Sequence, residues 1–376
     1  MDPDFLATFY NRPKDPKPAP EGPQETQTFK ARCHCGNIAF SVTLATAALP
    51  LNAHMCSCSL CRYTHGTYAS FHVALPQGVG PEWTSGSVNM TVYKTPDSGP
   101  GGHGQRWFCP TCGAHNGHYE PWAQQWIVSA SLFDGPAFWS FVGFGFPRSA
   151  ADGGISSWLP RVGGKKMTEV TLPRDPPPVN RLVIGKDGEE RVRAECNCGG
   201  VSFTIPRPSD TVRRDPYMGQ YVSPKDPRKW KAFLDICRDC QRVSGAQVHS
   251  WMLVPRKVLE PEIPADLNFG TLKVYQSSDK VKRGFCGKCG ATVLIKTTLR
   301  SPTEETEILN IAMGILRAPE GARAENWVTW RAGNPAWVED GMKFDPEFVS
   351  ALVEGQKNWA LEKYGEALDF DIIYDL

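Results

Sequence analysis

The chain has 376 residues, with 41 Lys and Arg against 40 Asp and Glu, so its formal net charge is +1. This balance gives no general attraction to nucleic acid or to an anionic membrane, and neither is expected as a partner. The 35 Gly, 32 Pro and 41% hydrophobic residues favour short strands and many turns around a sizeable core, which excludes global disorder and a single disulfide-stapled module. The length predicts two domains.

Residues 1–26 form a Pro-rich extension to which the sequence assigns no chemistry. The start of the chain, Met-Asp-Pro-Asp-Phe, has acids where a signal peptide needs a basic region. The longest aromatic and apolar run, Pro136 to Pro147, is too short to span a bilayer. We therefore expect a soluble, cytoplasmic protein, in which 13 cysteines serve metal binding rather than disulfides.

Three cysteine clusters follow in the first half, and predicted strands lie between them. The alternation of Ile38, Phe40, Val42 and Leu44 with smaller or polar residues is typical of a half-buried strand, and the run Phe71 to Leu75 indicates another. The clusters are Cys33-x-Cys35-Gly36, Cys56-x-Cys58-x-x-Cys61 and Cys109-x-x-Cys112-Gly113.

The second half repeats this order. Its clusters are Cys196-x-Cys198-Gly199, Cys237-x-x-Cys240 and Cys286-x-x-Cys289-Gly290. Cys58 and Cys109 are 51 positions apart, and Cys237 and Cys286 are 49 positions apart. Further strands are predicted at Val201 to Ile205 and at Ile308 to Ile311. The chain is therefore interpreted as a tandem duplication.

The Pro-rich stretch at 172–189 separates the two halves and is interpreted as a linker. The predicted domains are 27–171 and 190–343, followed by a helix and tail at 344–376. Asp345 can cap this helix, Pro346 suits its first turn, and Phe348, Leu352 and Trp359 fall on one stripe. Only this segment is predicted to be helical in an otherwise mainly β protein.

In each half the first and third clusters supply four cysteines, which is the usual ligand set of a closed structural zinc site. The first set is Cys33, Cys35, Cys109 and Cys112, and the second is Cys196, Cys198, Cys286 and Cys289. Buried thiols without metal are the alternative, which the paired CxC and CxxC spacing disfavours.

The middle cluster of the first half leaves three cysteines, Cys56, Cys58 and Cys61. Three protein ligands leave an open position on zinc, as in catalytic sites. The alternative is a further structural zinc closed by His54 or His65, and either histidine is also a candidate for moving a proton. The second half has Asp235 with Cys237 and Cys240, so its middle site is altered or lost.

The order CxCG, CxCxxCR, RxFCxxCG resembles the glutathione-dependent formaldehyde-activating enzyme and centromere-protein-V family. The resemblance covers about residues 27–160 and 190–343. It implies two tandem zinc-binding β-tent domains, a structural zinc from the outer clusters and a catalytic zinc from the middle one. It also implies glutathione or a glutathione adduct as ligand, with carbon–sulfur bond formation or cleavage as the chemistry.

For a glutathione ligand, Arg106 is a candidate contact for the carboxylate, and Arg283 is the equivalent candidate in the second half. A solvated charge at the end of a strand is the alternative for both. The leading hypothesis is a zinc-dependent lyase or synthase acting on a small-molecule thiol adduct. The competing one is a non-catalytic, zinc-structured module that binds a protein partner. The sequence predicts no oligomeric state.

The two halves differ in ways that favour the first as the reactive one. Seven of the 8 histidines lie in the first half, and only His249 lies in the second. The second half has 39 positions between Cys198 and Cys237, against 23 between Cys35 and Cys58. The additional stretch, Thr211 to Trp230, is predicted to lie across the interface and help enclose the first repeat's pocket.

Overall fold

The computed structural model describes residues 3–15, 22–85, 89–95, 105–136, 138–170 and 178–372. It is mainly β, as predicted. The strands before the Pro-rich stretch are β1 (Thr26–Arg32), β2 (Ala39–Ala45), β3 (Leu51–Cys56), β4 (Ser70–Ala74), β5 (Glu82–Ser85), β6 (Thr91–Tyr93), β7 (Gln105–Phe108), β8 (His115–Glu120), β9 (Gln125–Ser129), β10 (Trp139–Gly145), β11 (Arg161–Val162), β12 (Lys165–Lys166) and β13 (Thr168–Val170).

The strands after it are β14 (Val183–Ile184), β15 (Glu190–Glu195), β16 (Ser202–Pro206), β17 (Trp230–Asp235), β18 (His249–Pro255), β19 (Leu272–Ser278), β20 (Val281–Cys286), β21 (Thr292–Thr297), β22 (Ile308–Ala312) and β23 (Val328–Trp330). The α-helices are α1 (Pro3–Phe9), α2 (Ser59–His65), α3 (Asp210–Arg214), α4 (Arg238–Ser244), α5 (Val338–Phe344) and α6 (Pro346–Tyr364). Among the described residues, no helix is both long and apolar enough to cross a membrane.

The two halves build large sheets with the same strand order. The first sheet runs β13-β10-β3-β4-β9-β8-β7-β6, and the second runs β23-β17-β18-β22-β21-β20-β19. Apart from β13, each strand of the first sheet therefore has a counterpart in the second. The counterparts also agree in direction. β3 with β10 and β17 with β23 are parallel pairs, and all other counterpart pairs are antiparallel. This agreement confirms the duplication.

A small three-stranded sheet accompanies each large one, β1-β2-β5 in the first repeat and β14-β15-β16 in the second. The predicted strands are confirmed as β2, β4, β16 and β22. In β16 the burial alternates as expected, because Phe203 and Ile205 are buried while Ser202, Thr204 and Pro206 are partly exposed.

The C-terminal helix is confirmed as α6, where Asp345 caps the helix by accepting a hydrogen bond from the Phe348 amide at 3.2 Å. Phe348 and Leu352 are buried, and the Trp359 ring packs on Trp158 at 5.3 Å. The expectation that this is the only helical segment is wrong, because α1 to α5 are helical as well. Two of these short helices, α2 and α4, carry middle-cluster cysteines.

Three segments differ from their predicted roles as an extension, a linker or a cover of the first repeat's pocket. Within the predicted extension, α1 packs against the first repeat, with Phe9 only 1% exposed. Positions 172–177 of the predicted linker lie outside the described residues, and Val183–Ile184 pairs with β15 as β14. The stretch Thr211 to Trp230 packs on the second repeat, where Tyr221 joins a buried cluster with Phe233, so its predicted place over the first repeat's pocket is wrong.

The repeats pack on each other through equivalent contacts. The middle residue of each CxC pair reaches the other repeat, and four hydrogen bonds form two matching pairs: His34 to Arg242 (3.2 Å) and Tyr275 (2.8 Å), and Asn197 to Tyr63 (3.0 Å) and Tyr93 (2.8 Å). One continuous buried core contains apolar residues of both repeats. The two repeats therefore make reciprocal contacts, as the subunits of a two-fold symmetric dimer do, within one chain.

Candidate metal centres

The first four-cysteine centre joins the turn after β1 to the turn after β7. The Cys33 and Cys35 sulfurs are 3.5 Å apart, and Cys35 lies 3.6 Å from the Cys109 sulfur. All four cysteines, including Cys112, are free thiols. A disulfide would need about 2.05 Å, whereas the edge of a tetrahedron with zinc–sulfur bonds of about 2.3 Å is about 3.8 Å. The donor set therefore fits zinc.

The second four-cysteine centre has the same construction. The Cys198 sulfur lies 3.6 Å from that of Cys196 and 3.5 Å from that of Cys286, and Cys289 completes the group. The Val201 amide donates to the Cys196 sulfur at 3.4 Å, as the Ile38 amide does to Cys33 at 3.3 Å. Each group can hold one metal ion and so connect segments that are distant in sequence.

The middle centre of the first repeat forms at a strand-to-helix turn. Cys56 ends β3, Cys58 is the N-cap of α2, and Cys61 lies in the first turn of α2. The Cys61 amide donates to the Cys58 sulfur at 3.3 Å, which fixes the turn. The three sulfurs lie within 4.8 Å of one another, and among the described residues no His, Asp or Glu joins this group as a fourth ligand. The set fits zinc with one open position.

Arg106 supplies positive charge to this centre. Its side chain is 4% exposed, and Nη2 donates to the Cys61 sulfur at 3.4 Å. Hydrogen bonds from Cys56 and Cys58, together with the Arg106 guanidinium, lower the pKa of Cys61 well below its ordinary value, although burial opposes the shift. The alternative that Arg106 is a solvated strand-end charge is therefore wrong, while its predicted contact with glutathione stays a prediction.

Both histidines proposed from the sequence are close to the middle centre, although neither is in its ligand group. His65 Nδ1 lies 3.0 Å from the Cys61 carbonyl oxygen, and its ring stacks on His115 at 4.1 Å. His54 packs edge-on against Phe9 at 4.8 Å. Burial lowers the pKa of His54 to about 4, so its imidazole is neutral near pH 7.

Three further residues complete a polar wall that the sequence interpretation missed. The His72 ring lies 6.2 Å from His54 and 5.3 Å from His118, and His118 Nε2 lies 3.7 Å from a Glu120 carboxylate oxygen. Burial lowers the pKa of His72 to about 3 and raises that of Glu120 to about 7. The excess of histidines in the first half was the sequence signal for this wall. Strand pairing brings the histidines together in the fold.

The middle centre of the second repeat is built at the equivalent turn. Asp235 ends β17, Cys237 is the N-cap of α4, and Cys240 lies in its first turn. One Asp235 oxygen accepts from the Cys237 amide at 2.9 Å, and the other lies 3.4 Å from the Cys240 sulfur. Arg283 donates to that sulfur at 3.3 Å, in the position that Arg106 has in the first repeat. These three ligand atoms can hold a metal.

Comparison with known protein families agrees with this geometry. The family model of the glutathione-dependent formaldehyde-activating enzyme matches residues 28–140 and 220–331, more than half of the chain. The chain belongs to this family. No curated protein and no solved structure shows significant similarity to it.

The two formaldehyde-activating-enzyme repeats differ most in front of their middle centres. In the first repeat, His54 on β3 pairs with His72 on β4. In the second, the equivalent pair on β17 and β18 is Phe233 with Trp251. Counting from the preceding CxxC pair, Ile295 takes the place of His118. Three histidine positions of the polar wall, 54, 72 and 118, are therefore apolar in the second repeat.

Two other segments cover the apolar side of the second centre. Tyr221, from the additional stretch, and Ile372, from the C-terminal tail, belong to one buried cluster with Cys237 and Cys240. Both residues are less than 5% exposed, so water has little access to this side of the centre. In this family member the second centre has the surroundings of a packed core rather than of a polar pocket.

Proposed function

We propose that the first repeat is a zinc-dependent carbon–sulfur lyase or synthase, acting on an adduct of glutathione or another thiol with a carbonyl compound or related electrophile. One observation carries the proposal. Three cysteine sulfurs meet at a turn without a fourth ligand from the described residues, and a wall of buried histidines faces them. Family membership supports glutathione as the thiol.

When bound by Cys56, Cys58 and Cys61, a zinc ion supplies an open position that favours a soft thiolate sulfur. A thiolate at this position adds negative charge to the centre. The Arg106 guanidinium, which donates to the Cys61 sulfur, offsets that charge. Because Arg106 is buried, this charge is weakly screened by solvent. The residues of the chain thereby favour the sulfur in its anionic form.

Cleavage of a hydroxyl-bearing thiol adduct into thiol and carbonyl also requires a proton to leave the hydroxyl oxygen. The imidazole of His72 or His118 can relay this proton, and His118 Nε2 lies 3.7 Å from a Glu120 oxygen. Since burial raises the pKa of Glu120 to about 7, this carboxyl group can both take up and release a proton near neutral pH. The reverse order of these transfers serves adduct formation.

The two four-cysteine centres are proposed to be structural, because each has a complete protein ligand set. The second middle centre is proposed to have no catalytic role, because Phe233, Trp251 and Ile295 replace three histidines of the polar wall in front of it. A zinc-structured binding module without catalysis is the competing function.

The test compares Cys58→Ser with Cys237→Ser in the full-length, zinc-loaded protein. We expect Cys58→Ser to reduce exchange between glutathione, formaldehyde and their adduct by about a hundredfold or more, because it removes a ligand of the open site. We expect Cys237→Ser to retain most of the activity. NMR exchange rates measure the reaction, and metal analysis with circular dichroism shows whether each variant keeps its fold.

Equal losses from the two substitutions in folded protein would mean that the second centre is catalytic and that Asp235 is a working ligand. Absence of exchange with every adduct tested, together with a middle-centre metal that accepts neither water nor glutathione, would favour the binding module.

A further inference from the structure

The N-terminal segment, residues 3–12, is built into the side of the first repeat that carries the polar wall. Phe5 and Phe9 of α1 are 7% and 1% exposed, respectively. The Phe9 ring contacts the His54 ring edge-on, with 4.8 Å between centroids. The segment therefore reaches the histidines in front of the middle centre.

Polar contacts hold the segment in place after α1. Asn11 Nδ2 donates to the Ala74 carbonyl at 2.9 Å and to the Asn52 carbonyl at 3.1 Å, and Asn11 Oδ1 accepts from the Asn52 amide at 2.7 Å. The segment is thus tied to both β3 and β4, the two strands that carry His54 and His72.

Gln125 connects the segment to a third strand, β9. Its Nε2 donates to the carbonyl oxygens of Tyr10 and Leu75, each at 2.8 Å, and its Oε1 accepts from Arg12 Nε at 2.8 Å. Gln125 is 1% exposed, so these bonds satisfy an amide that would otherwise be costly to bury. By strand register the second repeat has Ile308 at this position, so the amide is specific to the repeat with the polar wall.

These contacts place Tyr10 beside the polar wall. Its ring lies 4.9 Å from the ring of Trp122, which stands two residues after Glu120 of the polar wall. Burial raises the pKa of Tyr10, and the negative charges of Glu120, Cys56 and Cys61 add to the shift. The phenol therefore stays protonated and is available as a hydrogen-bond donor.

We propose that Tyr10 is a specificity-determining residue of the first repeat's centre, which limits the size of the group carried on the substrate's sulfur and donates a hydrogen bond to its oxygen. The inference rests on the proposed function for the nature of the substrate. Residues 3–12 then form the outer wall of the substrate pocket, whereas in the second repeat Tyr221 and Ile372 pack over the equivalent side in an apolar cluster.

The test uses the full-length, zinc-loaded protein with Tyr10→Ala and Tyr10→Phe, and glutathione adducts of formaldehyde and of benzaldehyde. We expect Tyr10→Ala to raise the ratio of kcat/KM for the benzaldehyde adduct to that for the formaldehyde adduct about tenfold, because a large side chain is removed. We expect Tyr10→Phe to lower both kcat/KM values about tenfold at an unchanged ratio, because only the hydroxyl is lost. Tyr217→Ala, at a partly buried tyrosine of the second repeat, is the matched control and should leave the ratio unchanged.

A second readout needs no turnover. In cobalt-substituted protein, the sulfur-to-metal charge-transfer band reports binding of benzyl mercaptan and of 2-mercaptoethanol. We expect Tyr10→Ala to raise the affinity for benzyl mercaptan, relative to that for 2-mercaptoethanol, about fivefold. The larger thiol can occupy the space that the tyrosine ring leaves. Wild-type protein that binds both thiols but turns over no adduct would defeat the proposed function, and the thiol ratio alone would then decide the role of Tyr10. Unchanged ratios in both assays, with full metal content and a native circular dichroism spectrum, would overturn the inference.

Discussion

Two buried arginines stand in equivalent positions behind the middle centres. Arg106 donates to Cys61 at 3.4 Å and Arg283 to Cys240 at 3.3 Å. Three thiolates on one zinc ion leave a net negative charge, which is unfavourable in a buried place unless a cation lies close to it. Each arginine therefore compensates the negative charge of its candidate metal centre, in addition to packing in the fold.

Replacing Arg106 by Gln is expected to weaken the first middle centre, because the substitution removes the charge and leaves only a shorter, neutral donor. Zinc should leave this centre at least about tenfold faster, while the four-cysteine centres keep their metal. Zinc transfer to a chromogenic chelator, followed over time, measures the rates.

The matched control is Arg283→Gln, which alters the second middle centre only. It should leave the release rate of the first centre and the catalytic exchange unchanged. If Arg106→Gln released no zinc faster than wild type, the arginine would have a structural role alone.

The cysteine partition could be predicted because each pair or triplet lies on one local turn, where sequence spacing fixes geometry. Glu120 and His72 could not be assigned in this way, because only the pairing of β3, β4, β9 and β8 brings them to the centre. Tyr10 was harder still to find. Its position depends on buried contacts with Gln125 and Trp122, more than a hundred residues away.

At the level of elements, α2 and α4 end against the other repeat. Each is followed by a glycine in the left-handed region, Gly66 at φ 72° and Gly245 at φ 73°. A Cβ atom on Gly66 would lie 2.0 Å from the Thr292 carbonyl oxygen, and one on Gly245 would lie 2.2 Å from the His115 carbonyl oxygen. The absence of a side chain therefore allows the backbones of the two repeats to approach closely at both glycines.

Gly245→Ala is expected to destabilise the protein far more than Gly365→Ala. Both glycines follow a helix in the left-handed conformation, but a Cβ atom on Gly365 would meet nothing within 4 Å. Gly365→Ala should thus cost about 1 kcal/mol of unfolding free energy from backbone conformation alone. Gly245→Ala adds a clash with backbone, and we expect a cost of about 3 kcal/mol or more. Urea unfolding followed by tryptophan fluorescence measures both, and equal costs would contradict the close packing.

The short helices α2 and α4 also explain why the sequence predicted too few helices. Each has 7 residues and is held by a cysteine N-cap, a glycine at its end and contacts with the other repeat. Helices this short are marginal by themselves and show too little apolar periodicity to be recognised. The longer α6, with 19 residues and a clear cap and stripe, was predictable for the opposite reason.

For the whole molecule, the open three-cysteine centre and the two four-cysteine centres are expected to lose zinc in a defined order. The open three-cysteine centre should release its metal to a chelator first, with little change in circular dichroism. The four-cysteine centres should lose their metal at higher chelator concentration. The sheets should unfold at the same step, because those metals connect distant segments. Parallel measurements of zinc content and circular dichroism check the order. A single step, in which all zinc and all structure disappear together, would show that the middle centre is structural too.

The two repeats are expected to stay associated when the chain between them is cut. Contacts between them are numerous and buried: Tyr68 donates to the Met313 sulfur at 3.8 Å, and the Arg323 amide donates to Asp152 at 2.6 Å. The Arg317 guanidinium lies over the Tyr63 ring. Since these contacts and a continuous core do not depend on a covalent connection, a protease site inserted at positions 172–177 should be cleavable without separating the fragments. We expect the cut protein to elute as one 1:1 complex in size-exclusion chromatography and to keep its zinc. Fragments that separated at micromolar concentration would mean that the repeats are independent domains, and that the symmetric packing contributes little free energy.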